Sequence, residues 1–389
     1  MLVFCLALFG FVLALMPALL FFQNLRLYRR PSLQQSLPPV SILIPARNEE
    51  RSIATAIASI QASQGIEWEL IILDDQSIDR TAEIVRSQSE HDKRIRYLGG
   101  EALPAGWCGK QYACFCLAQQ AHNDILLFLD ADVRVEPYGI ASMVSYFVAG
   151  PAALVSGFPR QETGTFLEKL VIPLIHFLLL GFLPMRRMRT STRSGYAAGC
   201  GQCFITSKGC YWQTGGHSAI RTSLHDGITL PRSYRQHGLS TDLFDGSQLA
   251  TCRMYHTARE VWFGFAKNAR EGMATTKMIV PITLLLVLGQ IAPFFTSIYF
   301  SILLACPDYF RSAIPADFNA PTAALGLILS LLAVLASYSV RLVACYRFQQ
   351  SLLGALLHPV GIALVLAIQW FAFLKAIFGR SSIWKGRAY

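Results

Sequence analysis

Apolar residues run unbroken through residues 1–22, and no charged side chain appears before Arg26, Arg29 and Arg30. About 20 such residues cross the hydrocarbon core of a bilayer. The run has no basic start and no small-residue cleavage site, so residues 1–23 read as a retained signal-anchor. From 24 to 277 charges are interspersed and apolar positions fall into short periodic groups, as in a folded soluble domain. Three more uncharged stretches follow, at 278–307, 318–340 and 348–374. They predict a C-terminal membrane region over 278–389 with two or three spans and a basic tail. A shorter apolar stretch at 170–185 carries Pro173, His176 and Pro184 and precedes Arg186, Arg187 and Arg189. Its length suits an interfacial helix on the membrane surface.

Inside the soluble stretch, strand and helix patterns alternate. Pro39 to Pro45 is a short apolar run closed by proline, followed by the polar loop Ala46-Arg-Asn-Glu-Glu50. Ile53, Ile57 and Ile60 then recur at helical spacing. Trp68 to Leu73 predicts a second strand, ending in Asp74-Asp-Gln-Ser-Ile-Asp79, and 81–89 a helix. Ile95 to Leu98 is a third strand, 111–121 a helix, and Asp124 to Leu129 a fourth strand, ending in Asp130-Ala-Asp132. Strands alternating with helices predict an α/β domain with a mostly parallel sheet covered on both faces. In such sheets the chemistry sits beyond the carboxyl ends of the strands, where both acidic motifs fall.

Composition narrows the partners. Charged residues make up 15% of the 389, against about 25% in ordinary soluble domains, and the net charge is +10. In so apolar a chain, a basic excess points to anionic lipid surfaces and phosphorylated substrates ahead of nucleic acid, and no nucleic-acid partner is expected. The 10 cysteines are scattered, as free thiols are, and Cys200-Gly-Gln-Cys203 lacks the second pair that structural zinc needs. Arg26, Arg29 and Arg30 put the soluble domain on the cytoplasmic side of the cell membrane by the positive-inside rule. The loop at 308–317, with one Arg and two Asp, suits the opposite side. The tail, with Lys375, Arg380, Lys385 and Arg387, also reads as cytoplasmic, whereas four complete crossings would place it outside. Either the last stretch is a re-entrant or interfacial pair broken near His358-Pro359-Val-Gly361, or one of the assigned spans is wrong.

Two aspartates one residue apart after a buried strand can share one Mg²⁺ or Mn²⁺ with diphosphate oxygens, and equally suit a turn closing the strand. Asp74 and Asp75 suit recognition of a base or ribose, with Asp74 or Ser77 expected to cap the next helix. Neither a phosphate-binding G-x-x-x-x-G-K-[ST] loop nor a G-x-G-x-x-G turn follows the first strand, which argues against a nucleoside triphosphatase or a dehydrogenase.

The ordered set Pro45-Ala-Arg-Asn-Glu49, Asp74-Asp-Gln-Ser-Ile-Asp79, Gly109-Lys110 and Asp130-Ala-Asp132 resembles the membrane-associated family 2 glycosyltransferases of the GT-A fold, over roughly 38–260. Leu103-Pro-Ala-Gly-Trp-Cys-Gly-Lys110 and Trp384-Lys-Gly-Arg387 are similar to a narrower group that glycosylates isoprenoid-derived lipids such as carotenoids and hopanoids. The resemblance implies a nucleotide-sugar pocket lined by Pro45, Arg47, Glu49, Asp74 and Asp75. It implies that Lys110 reaches the diphosphate, that Asp132 is the main metal ligand, and that Asp130 contacts ribose or metal. In the frame His225-Asp-Gly to Gly238, Asp226 takes the general-base position, with His225 where the family has Glu and with Pro231 interrupting the helix. Outside the resemblance, Lys110 also suits a solvated loop lysine and Asp226 an N-cap. The Gln-x-x-Arg-Trp motif of processive synthases is absent, and Glu260 to Asn268 stands in its place, so a single transfer is expected. Trp262, Phe263 and Phe265 read as interfacial anchors ahead of sugar-stacking residues. Arg253, Lys267 and Arg270 suit either diphosphate or lipid headgroups. The implied activity is an inverting, metal-dependent transfer from a nucleotide-sugar to a hydroxyl or carboxyl of a lipid acceptor at the inner leaflet. The alternatives are a polyprenyl-phosphate sugar synthase and an inactive membrane scaffold of the same fold.

Overall fold

The computed structural model describes residues 1–34, 36–306 and 320–378, with the backbone of 383–384 and 387–388. The loop at 308–317, Arg380, and the side chains of Trp384, Lys385 and Arg387 lie outside this description. The chain folds as two compact units. One comprises 27–162 and 184–254; the other gathers 1–26, Thr163–Leu183 and the C-terminal helices from Tyr255. Packing therefore draws the boundary differently from composition. Residues 163–183 and 255–277 carry enough charge to read as part of a soluble domain over 24–277, yet they pack with the helical unit.

The first unit is built on an eight-stranded sheet of β1 (Val40–Ala46), β2 (Trp68–Asp74), β3 (Ile95–Gly99), β4 (Ile125–Leu129), β5 (Val133–Val135), β6 (Leu154–Gln161), β7 (Cys203–Ser207) and β8 (Thr241–Cys252). Its order is β3-β2-β1-β4-β7-β6-β8-β5. The first four strands in that order are parallel; β7 pairs antiparallel with β4 and β6, and β5 antiparallel with β8. Successive side chains point to opposite faces of a strand. One face therefore buries Val40, Ile42, Ile44, Leu70, Ile72, Leu127 and Leu129 against Ile53, Ile57 and Ile60 of the helix Ile53–Gln61. The other buries Leu43, Ile71, Leu126 and Phe128 against Ala113, Cys114 and Leu117 of the helix Gly109–Gln120 and Leu230 and Tyr234 of the helix Asp226–Gln236. The parallel registers set Ala46 beside Asp74 and Leu43 beside Phe128. As a result, the loops after β1, β2 and β4 all leave the sheet at one edge.

Among the described residues the second unit contains four helices long and apolar enough to cross a membrane: Leu2–Leu27, Ile279–Ala305, Ala320–Arg347 and His358–Ile377. The last is preceded by a short helix, Leu352–Leu356, so the apolar stretch at 348–374 breaks at Leu357 and still leaves a full-length span. Small residues form the packing faces: Ala7, Gly10, Ala14 and Ala18 on the first helix, and Ala323, Gly326, Ser330, Ala333 and Ser337 on the third. Between apolar helices in lipid, close backbone approach replaces the hydrophobic drive. A Cβ on Gly289 would sit 2.8 Å from Leu13 O. The stretch at 170–185 forms two short helices, Phe166–Val171 and Leu174–Phe182, and no residue of the second is exposed. That burial leaves it without the wet face of an amphipathic surface helix. Asn24 Nδ2 ties down its end by donating to Leu180 O (2.7 Å) and Leu183 O (2.6 Å). Trp262 and Phe263 pack against Phe371, and Phe265 against Tyr255.

Candidate active site

The loop after β1 is stitched to the loop after β2. Asp75 N–H donates to Ala46 O (2.7 Å), Asn48 N–H to Ser77 Oγ (2.9 Å), Ile78 N–H to Asn48 Oδ1 (2.9 Å) and Glu49 N–H to Thr81 Oγ1 (2.7 Å). Asn48 and Gln76 take left-handed backbone (φ 54° and 56°), a conformation that asparagine in particular tolerates. Arg47 Nη1 donates to the carbonyls of Asp75 and Gln76, and Ser52 Oγ donates to the Glu49 carboxylate (3.1 Å). Pro45 sits in β1 in register with Leu73, and Asp74 and Asp75 are both buried. The structure thus gathers Pro45, Arg47, Glu49, Asp74 and Asp75 at one edge. Neither Asp74 nor Ser77 caps the following helix: Asp74 Oδ1 accepts from Ser77 N–H (3.3 Å), and Ser77 Oγ is occupied by Asn48. Asp79 does that work, accepting from Thr81 N–H (3.0 Å) and Thr81 Oγ1 (2.6 Å).

Across that edge, one cation is shared by two carboxylates. Lys110 Nζ lies 2.6 Å from Asp130 Oδ1 and 2.9 Å from Asp226 Oδ2, and donates to Gly201 O at 3.0 Å. Lys110 opens the helix Gly109–Gln120, whose start is held to the loop before Asp226: Cys108 N–H donates to Arg221 O (2.6 Å) and Gln111 Nε2 to Ser223 O (3.1 Å). Asp226 is the first residue of its helix but does not cap it, because its carboxylate turns to Lys110. Pro231 does not interrupt that helix, which runs on to Gln236. It lies inside the helix, where it removes one backbone bond without ending the element.

Charge in this trio is unevenly held. Burial works against ionising Asp226, but Lys110, reinforced by its hydrogen bond and by His217 and His225, wins and holds the carboxyl at about 2. Asp130 moves the other way. Burial is the largest effect and raises it, and only together with the negative charges of Asp226 and Glu49 does it outweigh the pull of Lys110. The ammonium itself is held well above its ordinary value, against its burial, by both carboxylates. Side-chain exposure falls from 34% for Lys110 and 28% for Asp130 to 10% for Asp226, which puts Asp226 at the floor of the site.

Asp132 does not join the trio directly. It accepts from the buried Cys252 thiol, whose ionisation burial and the Asp132 charge both push far upward. Gln202 braces the same turn: its carbonyl accepts from Asp130 N–H (3.1 Å), its Nε2 donates to Cys252 Sγ (2.7 Å), and its Oε1 accepts from Gln161 Nε2 (2.8 Å). Gly201 and Gln202 escaped the sequence reading, which saw only the flanking cysteines. The signal was the run Gly199-Cys-Gly-Gln beside them. A Cβ on Gly201 would come within 2.8 Å of Asp226 Cγ and closer still to Oδ1. His217 was likewise missed. Its Nδ1 meets Tyr211 Oη (2.9 Å), and burial takes the imidazole down to about 3, against the pull of Asp226, so it is neutral near pH 7. Among the described residues no group of three His, Cys, Asp or Glu side chains is arranged to hold a metal alone. Asp130 and Asp132 nevertheless offer the hard oxygen donors that Mg²⁺ and Mn²⁺ take, with substrate oxygens left to complete the shell.

Residues 41–214 match the sequence family described as Glycosyl transferase family 2. The chain is similar to two proteins named 4,4'-diaponeurosporenoate glycosyltransferase. The one from Staphylococcus haemolyticus is 28% identical over 260 residues, 66% of this chain and 68% of that protein. The one from Staphylococcus aureus is 26% identical over 257 residues, 65% and 67% of the two chains. Its fold is similar to that of a mannosyltransferase from Pyrobaculum calidifontis solved with GDP-Man and Mn²⁺, with a TM-score of 0.53 at 14% identity over 95% of this chain and 99% of that one. Residues 41–214 thus carry a family 2 glycosyltransferase match on a GT-A-type sheet, in a chain with four helices long and apolar enough to cross a membrane among the described residues.

Proposed function

We propose that this enzyme transfers one sugar from a nucleotide-sugar to a lipid acceptor of isoprenoid type, with inversion, at the inner leaflet. The observation that carries the reading is the single ammonium of Lys110 shared between Asp130 of the Asp-x-Asp motif and Asp226. Arg47, Glu49, Asp74 and Asp75 would receive the nucleoside, as their common edge supports. Asp130 and Asp132 would hold Mg²⁺ or Mn²⁺, which supplies Lewis-acid neutralisation of the diphosphate. The acceptor class rests on the names of the two relatives and on the membrane helices.

The trio also suggests an order of events. Without donor, Lys110 holds Asp226 ionised and occupied, which makes it a weak base. A bound diphosphate competes for the ammonium, drawing Lys110 away and letting the Asp226 pKa rise toward that of a working base. Asp226 then takes the acceptor O–H proton as the oxygen bonds to the anomeric carbon. The bond from that carbon to the diphosphate oxygen breaks on the opposite face, and Lys110 neutralises the departing charge.

The test is to assay the full-length enzyme in membranes with UDP- and GDP-sugars labelled in the sugar. The expected result is label extracted into organic solvent in a product stable to mild acid, lost by orders of magnitude in Asp226→Asn with donor affinity retained. Label in a mild-acid-labile product would instead identify a sugar phosphate. Turnover by Asp226→Asn near the wild-type rate would remove Asp226 from the base position.

A further inference from the structure

Arg341, near the end of the helix Ala320–Arg347, is fully buried. Its Nη1 donates to Pro173 O (3.1 Å) and Gln350 Oε1 (3.3 Å). Gln350 Nε2 in turn meets His176 Nδ1 (3.2 Å), and that imidazole stacks on Phe348 at 4.0 Å. The other two guanidinium nitrogens, Nε and Nη2, are buried with no hydrogen-bond partner among the described residues. No ion pair of the described residues involves Arg341. Acidic side chains in the described part of its unit are Glu168, Glu260 and Glu271, and Glu168 is engaged by Gly164 and Thr165. Arginine does not shed its proton in proteins, and an unpaired buried charge costs far more than two neutral acceptors return. An ionisable group held among membrane helices is by default part of a site.

The orientation of the unused nitrogens identifies the ligand. Nε and Nη2 form the edge of a guanidinium that takes two oxygens of one anion in parallel bonds. Elsewhere in this chain Arg80 holds both oxygens of Glu83 by that edge, and Arg94 does the same with Asp92. In Arg341 the edge is vacant while Nη1 is fixed. The exposed surface of the same helix is apolar, with Leu331, Leu335 and Leu342 outward, so the anion would arrive on an apolar body rather than as a hydrated ion. We propose that Arg341 binds the oxyanion headgroup of an amphiphile, a carboxylate or a phosphate, within the helical unit. This does not depend on the acceptor reading above.

The test uses the full-length protein in neutral detergent, with Tm measured against a long-chain fatty acid, its methyl ester, phosphatidylglycerol and inorganic phosphate. A ligand that binds only the folded state raises Tm with its concentration. The expected result is a rise of several degrees with the fatty acid or phosphatidylglycerol and none with the ester or inorganic phosphate. A rise with the acid alone assigns a carboxylate lipid, and one with phosphatidylglycerol alone a phospholipid. Arg341→Gln should abolish the rise and Arg341→Lys keep part of it. Equal rises in wild type and Arg341→Gln, or no rise with either amphiphile in wild type, would overturn the assignment. If Arg341→Gln is not recovered folded, the acid-against-ester comparison on wild type decides alone.

Discussion

Lys110 neutralises two carboxylates with one charge, so removing it leaves Asp130 and Asp226 facing each other across a half-buried gap. Lys110→Met should destabilise the protein by about 2 kcal/mol, less than a fully buried pair because the lysine keeps a third of its side chain in water. Adding Asp226→Asn should recover part of that loss, because the second change removes the repulsion the first exposed; urea titrations of the two singles and the double would show it. Purely additive losses would mean that Lys110 and Asp226 do not interact in solution. The sign with pH follows from the depressed Asp226 carboxyl. Its folded value of about 2 lies below its unfolded one. Its contribution is therefore present above the ordinary carboxylate range and is lost as pH falls through that range toward 2. Lys110→Met should flatten this part of the acid limb of stability.

At the scale of elements, β1 to β4 were legible in the sequence as short apolar runs, whereas β5 to β8, which carry weaker runs, were not read there. The parallel pairing of β1 to β4 followed from alternation with helices, and their order came only with the fold. The helix Asp226–Gln236 was harder: His225 and Pro231 both argue against it locally, and it persists because Leu230 and Tyr234 are buried against the sheet. Gly201 and Gln202 were illegible for a different reason. Their roles, a backbone that lets Asp226 approach and a side chain that braces the turn after β4, exist only once β7 lies beside β4. The pairing of Lys110 with Asp226 was equally hidden, since 116 residues separate the two positions. Gly201→Ala tests this level. The new methyl group would displace the Asp226 carboxylate, since the backbone on which it sits also holds Lys110. Turnover should fall at least tenfold, while stability changes by about 1–3 kcal/mol. Full turnover with an unshifted Tm would show that the loop simply moves aside.

At the scale of the whole chain, the polypeptide leaves the sheet unit after Glu162 and re-enters it at Pro184, and the intervening 163–183 folds with the membrane helices. Composition hid this, because the segment is too short for a span and is flanked by charges. Six of its apolar side chains are fully buried: Leu170, Val171, Ile172, Leu174, Phe177 and Leu180 are each at most 1% exposed. In a fragment of 27–254, which lacks their partners, those six side chains would face water at about 1.5–3 kcal/mol each. Contiguous apolar surface of that kind drives association. The fragment should therefore aggregate although its sheet is complete. Replacing 163–183 with a Gly-Ser linker of equal length should yield a soluble monomer, because a flexible chain of that length can adopt whatever separation the two ends have. By calorimetry the linker variant should bind the donor nucleotide as the full-length protein does, since Arg47, Asp75, Lys110, Asp130 and Asp226 all lie in the sheet unit. It should not glycosylate lipid. A soluble linker variant without donor affinity would assign 163–183 to the nucleotide site, and a soluble, monomeric native fragment would mean that the segment can satisfy its apolar face without the membrane helices.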